Sequence, residues 1–200
     1  MTDKAEPRTG RIILLSGASS SGKSSIARAV QARIEGPFWH ISIDHLRDAG
    51  VLPLDRFRSG EFPWSEAREA FFDGFERSLV AYAEAGNDLI VEHIVETAAW
   101  MDRLVARFAT FDVFFVGVHC SLDELERRER TRGDRPIGDA RRDFESVHAH
   151  CSYDTELDAT SLAPEINAER LLEQWRERAT PSAFDRAERR RQRRREGAGG

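Results

Sequence analysis

The chain has 200 residues, 40% of them hydrophobic, and a formal net charge of −5; that suffices for one compact domain with a real core and is short for two. A body of this charge is no nucleic-acid platform, and no apolar run approaches the ~20 residues of a membrane span. The two cysteines, Cys120 and Cys151, form no C-x-x-C pair and suggest no disulfide framework.

Residues 1–10 are polar, lack the apolar core of a signal peptide, and are expected to be a disordered lead-in. Arg11 to Ser16 is a short apolar run that predicts a buried parallel strand, and residues 23–35 predict a helix that Gly36-Pro37 ends. Between them lies Gly17-Ala18-Ser19-Ser20-Ser21-Gly22-Lys23-Ser24, followed by Ser25. This is the G-x-x-x-x-G-K-[ST] pattern in a strand–loop–helix setting. Gly17 and Gly22 permit backbone angles that turn successive N–H groups inward around an anion, and the helix opening at Lys23 adds its N-terminal dipole. Lys23 can reach the β- and γ-phosphates, and the Ser24 hydroxyl can hold a magnesium ion. Residues 17–25 are therefore expected to bind a nucleoside triphosphate with Mg2+.

A second strand is expected over Phe38 to Ile43, closed by Asp44, with a helical turn over 44–48 and an irregular stretch over 50–63. A long helix over 65–86 shows Ala67, Phe71, Gly74, Phe75, Ser78, Leu79 and Tyr82 at three- and four-residue spacing, one buried face. Strands follow at 88–94, 111–120 and 153–158, with helices at 97–108, 121–132, 139–150 and 163–178. Ser121 and Glu124 have capping-box spacing. Strands alternating with helices imply an α/β fold, a parallel sheet with helices on both faces and a ligand site at the carboxyl ends of the strands. The domain is expected over 11–178, with a lid at about 127–150 and a basic tail over 179–200. The tail carries seven arginines against three acids, a net of +4 that leaves −9 for the rest.

Residues that follow strands are the candidates for chemistry. Asp44 could accept the proton of a substrate hydroxyl as its oxygen attacks the γ-phosphate, orient that hydroxyl, or only N-cap the next helical turn. Glu92 and His93 could hold a magnesium-bound water or a substrate polar group, or merely end a strand. Arg127, Arg128 and Arg130 fit a solvated helix face. Arg132 and Arg135 flank a glycine break, where a mobile segment could close both over the triphosphate and stabilise charge on the transferring phosphoryl group. Phe57, Phe62, Trp64 and Phe72 are candidates for an apolar acceptor pocket or for core. His119-Cys120, His148, His150 and Cys151 meet no zinc spacing. No membrane partner is expected, nucleic acid is expected only through the arginine tail if at all, and nothing in the chain fixes an oligomeric state.

Several blocks in order resemble the chloramphenicol phosphotransferase family of P-loop kinases: Arg11 to Ser25, Asp44-His45-Leu46, Phe115 to Cys120, Arg132-Gly133-Asp134-Arg135, Val147-His148, Tyr153-Asp154 and Glu156-Leu157-Asp158. The likeness covers most of residues 10–178. It implies a P-loop NTPase fold with a five-stranded parallel sheet in the order 2-3-1-4-5. The implied reaction is transfer of the ATP γ-phosphate to a hydroxyl of a small molecule, in that family an antibiotic. Asp44 falls on the family's proposed catalytic base, and Arg132 and Arg135 on its lid arginines. Between Asp44 and the long helix the chain is shorter than the namesake, and Glu92-His93 stands where the family tends to have two aspartates, so the acceptor pocket is expected to differ. Two other readings stay open: a nucleoside, nucleotide or sugar-nucleotide kinase, including toxin-like relatives, and a nucleotide-dependent switch with a nucleic-acid-binding tail. The expected compartment is the cytoplasm.

Overall fold

Three apolar runs too hydrophobic to face water set the centre of the fold. In the computed structural model, which describes residues 8–132 and 138–197, five strands form one sheet: Ile12–Ser16 (β1), Trp39–Ser42 (β2), Leu89–His93 (β3), Val113–His119 (β4) and Thr155–Asp158 (β5). All neighbours pair in parallel, in the order β2-β3-β1-β4-β5. This is the predicted order. The helices are Lys23–Gln31 (α1), Ile43–Asp48 (α2), Leu54–Arg58 (α3), Trp64–Glu84 (α4), Ala98–Phe108 (α5), Leu122–Arg132 (α6), Asp139–Ser146 (α7), Pro164–Arg176 (α8) and Ala183–Gly197 (α9). No helix among the described residues is long and apolar enough to cross a membrane.

Successive residues of a strand point to opposite faces, so β1 supplies two cores. Ile12 and Leu14 pack with Val91 and Phe115 under Leu79 of α4, Phe108 of α5 and Phe184 of α9. Ile13 and Leu15 pack with Ile90 and Phe114 under Ile26 and Val30 of α1 and Leu172 and Trp175 of α8. Covered on both faces, β1 and β3 are buried throughout, as strands of a sheet clad by crossover helices must be.

The structure corrects five expectations. The stretch 50–63 is not wholly irregular, because Pro53 leads into α3 and Phe57 packs on Phe62 and Trp64. The buried residues of α4 are Phe75, Glu76, Leu79 and Ala83; Ala67 and Phe71 in its first half are only partly covered, and Tyr82 near its end is exposed beside Trp39. Ile43 begins α2 rather than ending β2. Of the lead-in, Arg8 to Gly10 are tied down, Arg8 by Asp88 at 2.6 Å and Gly10 N–H by the Ala83 carbonyl at 2.7 Å. Residues 1–7 lie outside the described residues. The expected tail is a helix whose first residues, Ala183 and Phe184, are buried against α5 and β4.

Glu76 is the acidic residue that periodicity hides. It is fully buried, and Arg103 donates to it through Nε at 2.8 Å and Nη2 at 3.0 Å. Arg107 joins the same carboxylate and Asp73. Burial pushes the Glu76 pKa up, but the contact with His93 and the bonds from Arg103 outweigh it and hold the group below its ordinary 4.5. A carboxylate with a lowered native pKa stabilises the fold fully above its unfolded pKa and loses that contribution as pH falls through the native one. Replacing it by Glu76→Gln leaves two guanidinium groups short of their counter-charge, at a cost of about 3 kcal/mol. Urea unfolding at pH 7 should show that loss, and the gap to wild type should narrow on acidification below 4.5.

Candidate active site

Because the strands are parallel and in register, their carboxyl ends meet at one edge, with Ser16 of β1 opposite His93 of β3 and Gly117 of β4. The loop that leaves β1 there has no room for a side chain at its first residue. A Cβ on Gly17 would lie 2.5 Å from the Val118 carbonyl oxygen and 2.9 Å from Ser21 Oγ. Gly22 takes φ 97 as the N-cap of α1, a left-handed conformation that favours glycine, and Ser20 is also left-handed at φ 63. Together these turns curl residues 17–22 around the start of α1. Lys23 is buried and donates to the Gly17 and Ala18 carbonyls at 2.8 and 2.7 Å. Ser21 Oγ is buried with no hydrogen-bond partner among the described residues. A bound anion's oxygen would satisfy it, so the loop fits a phosphate group.

Ser24, on the first turn of α1, donates its hydroxyl to Glu92 Oε2 at 2.8 Å. The other oxygen of Glu92 lies 2.6 Å from His40 Nε2, and both of these side chains are buried. Burial raises the Glu92 pKa, but the His40 bond, the charge of Lys23 and the Ser24 bond overcome it and keep the group a carboxylate. With its proton committed to Glu92, the Ser24 oxygen has lone pairs left for a cation. Hydroxyl, carboxylate and phosphate oxygens are the hard donors magnesium takes, so Ser24 and its surroundings fit that ion.

The capping explanation of Asp44 does not hold. Ser42 is the N-cap of α2, accepting from Asp44 N–H at 3.2 Å, while His45 Nδ1 accepts from Ser42 N–H at 3.2 Å. The Asp44 carboxylate is about one-third exposed and meets Arg47 Nη1 at 3.2 Å. It lines the same cleft, about 540 Å³ in volume, as Ser19 to Ser25, Glu92 and His93. That volume suits a small-molecule site. His93 is buried, with Nδ1 3.0 Å from the Ile94 carbonyl and its ring among Phe72, Phe75 and Trp100. Of the four aromatic candidates, Phe72 lines the cleft, while Phe57, Phe62 and Trp64 pack on one another beyond it.

The pair α6–α7 rests on the loop. Asp143, buried on α7, accepts from Ser19 N–H at 3.0 Å. Arg128 is not on a solvated face, as expected for it, but reaches the Ser21 carbonyl at 3.2 Å and the Ala159 carbonyl at 2.7 Å. Arg127 and Arg130 do stand in solvent. The capping box at Ser121 is half formed, because Glu124 turns its carboxylate to Arg127 and Arg128. Glu129 accepts from Gly138 and Ala140 N–H groups at 2.9 Å, joining the two sides of the glycine-rich break. Arg132 ends α6; its side chain, and all of Arg135, lie outside the described residues. His148 stacks on His119 with centroids 4.0 Å apart and meets Tyr153 OH at 2.7 Å. Burial, then the charges of His119 and Lys23, push its pKa down to about 4, so it is neutral at pH 7.

Sequence reasoning missed His40, Arg128 and Asp143. Arg128 and Asp143 gave no signal apart from their neighbours, but His40 sits two residues before the N-cap of α2, on the strand paired with β3.

Comparisons with known proteins agree with this geometry. Residues 10–176 match the family described as "Chloramphenicol phosphotransferase-like protein". The chain is 34% identical, over 90% of its length and 89% of the relative's, to "Putative O-phosphotransferase Rv2636" of Mycobacterium tuberculosis. Among solved structures it is similar to the Mycobacterium tuberculosis APS kinase CysC in complex with AMPPNP and APS, with a TM-score of 0.63 at 20% identity, covering 85% of this chain and 99% of that one. A gluconokinase from Sinorhizobium meliloti gives a TM-score of 0.55 at 18% identity, covering 84% and 95%. At these identities the two structures establish the fold, that of P-loop kinases.

The contact at Gly17 gives a direct check. Gly17→Ala should force the loop off the Val118 carbonyl and cost about 1–3 kcal/mol, the range for overpacking. It would be read as a lowered melting temperature of the purified protein.

Proposed function

The chain belongs to the chloramphenicol phosphotransferase-like family, and from that premise we propose that it transfers the γ-phosphate of Mg-ATP to a hydroxyl of a small molecule. One observation carries the reading: Asp44 and the loop 19–25 line a single cleft. The loop N–H groups and Lys23 would hold the phosphates, and Ser24, supported by Glu92, would hold magnesium. That ion would neutralise charge on the β- and γ-phosphate oxygens. Asp44 would take the proton of the acceptor hydroxyl while its oxygen bonds to the γ-phosphorus and the bond to the β-phosphate oxygen breaks, leaving ADP. Arg128, and Arg132 and Arg135 on the expected lid, would add positive charge at the phosphate end.

Charge in the cleft bears on the acceptor. Among the described residues its lysine and arginines, Lys23, Arg28 and Arg128, belong to the loop, to α1 and to α6. The α2 side carries Asp44 and Asp48, with Phe72 on α4. Arg47 bridges both carboxylates, at 3.2 and 2.8 Å, and offsets one of the two; the remaining negative charge favours an uncharged or cationic hydroxylated compound over a phosphorylated acceptor, with antibiotics among the candidates. Free thiols at Cys120 and Cys151 suit the reducing cytoplasm where ATP is made.

The test is ATP consumption against a panel of hydroxylated antibiotics, nucleosides and sugars, with mass spectrometry of the products. An acceptor that gains one phosphate is the expected result; ATP turnover with every acceptor unmodified would overturn the reading. With the acceptor in hand, Asp44→Asn should lower kcat by about 10²–10⁴-fold, the usual contribution of general-base catalysis. ATP affinity should stay within about threefold, and retained turnover would remove Asp44 from the role of base.

A further inference from the structure

The histidines of this chain meet no metal-ligand spacing along the sequence, yet folding collects three donors from β2, α2 and β3. One ligand atom from each of His40, His45 and Glu92 lies within 4.8 Å of the other two. His40 Nε2 is 2.6 Å from Glu92 Oε1, and the His40 and His45 rings meet edge-on with centroids 4.8 Å apart. Their exposures differ. The His40 and Glu92 side chains are 7% and 5% exposed, whereas His45 is exposed and shares the cleft wall with Glu92. Two donors form a buried floor and the third stands at the open side.

We propose that His40, His45 and Glu92 form a binding site for a divalent transition-metal ion of the zinc type, beside Ser24 and in competition with it for Glu92. This goes beyond the kinase reading and does not depend on it. Two imidazoles and one carboxylate are the donor set that zinc, cobalt and nickel accept with three protein ligands and an open fourth position. Magnesium differs, demanding near-octahedral oxygen ligation, so the two neighbouring sites have distinct chemistry. Metal–ligand bonds near 2.1 Å put tetrahedral donors about 3.4 Å apart. The His40 Nε2–Glu92 Oε1 pair must therefore open from 2.6 Å as the ion enters between the two atoms, while exposed His45 closes in on it. His45 exchanges the 3.2 Å contact from Ser42 N–H for a metal bond. At His40 the ion replaces the proton now shared with Glu92: a neutral imidazole keeps that proton on Nδ1, and an imidazolium releases it to solvent. Once Glu92 is bound to the ion, it is a weaker acceptor for Ser24, so occupancy opposes magnesium at the neighbouring hydroxyl.

The test is calorimetric titration of the full chain, stripped with a chelator, with Zn2+ and no nucleotide. One equivalent should bind. His45→Gln and His40→Gln should each weaken binding by about tenfold or more, since even the loss of an outer-sphere partner costs 10–100-fold. Melting curves establish that the variants are folded, and exposed His45 keeps the test valid if His40→Gln fails to fold. No bound zinc, or variants that bind as wild type does, would overturn the proposal; the second result would move the ion elsewhere, as to the stacked His119–His148 pair. Neither result touches phosphoryl transfer, which is measured separately with ATP and acceptor.

Discussion

The backbone at Gly17 has to pass the Val118 carbonyl of the next strand at a distance that excludes a Cβ. The other contacts of the site are set by that close approach. It lets the chain turn from β1 into α1 within six residues, so Lys23 and Ser24 open the helix beside the end of β3, where Ser24 meets Glu92. The parallel register then fixes what Ser24 can meet. Leu15 lies opposite Glu92 and Ser42 pairs with Glu92 from the other side. One carboxylate is thus held between the strand leading into the loop and the strand that leads to Asp44. His40 and Ser24 take its two oxygens, which compensates for burying it.

Local sequence carried the parts of the site that are local in space. The loop is contiguous, its glycines sit where the backbone needs them, and Asp44, two residues past the end of β2, lines the cleft beside it. The sheet order came from the family resemblance and the parallel arrangement from the alternation of strands and helices. What stayed hidden depends on contacts between distant segments. Glu92 and His40 are 52 residues apart, and only strand pairing brings them together. Arg127 and Arg128 look alike in sequence; one faces solvent and the other bonds the Ser21 carbonyl because the helix axis lies against the loop. Glu76 was missed for a different reason. Helical periodicity marks apolar stripes, and a glutamate inside the stripe is legible only once Arg103 and Arg107 arrive from α5 to meet it.

The C-terminal arginines show how composition can conceal an anchor. Their density makes the segment look like a solvated arm, and most of α9 is indeed exposed. Its first turn is core nonetheless. Phe184 stacks on Phe108 and meets Phe115 edge-on, and the Ala183 N–H donates to Asp154 Oδ1 at 2.6 Å. Asp154 also accepts from Phe115 N–H at 2.9 Å, so one carboxylate joins the helix start to β4. Burial pushes the pKa of Asp154 up ahead of these bonds, which makes its partners necessary rather than ornamental.

It follows that the basic charge and the fold share a segment, and they separate only past the first turns of α9. Glu188 still pairs with Arg191 in a half-covered position beside Phe108 and Phe111. Beyond Gln192 the helix carries Arg193, Arg194 and Arg195 into solvent. A cut at residue 180 would remove Phe184 from the core and uncover Phe108, and so would confuse loss of a partner with loss of structure. A cut after Gln192 removes charge alone. The distinction matters for any role of the arm, because only there does the chain keep its sheet, its loop and its cleft while the arginines change.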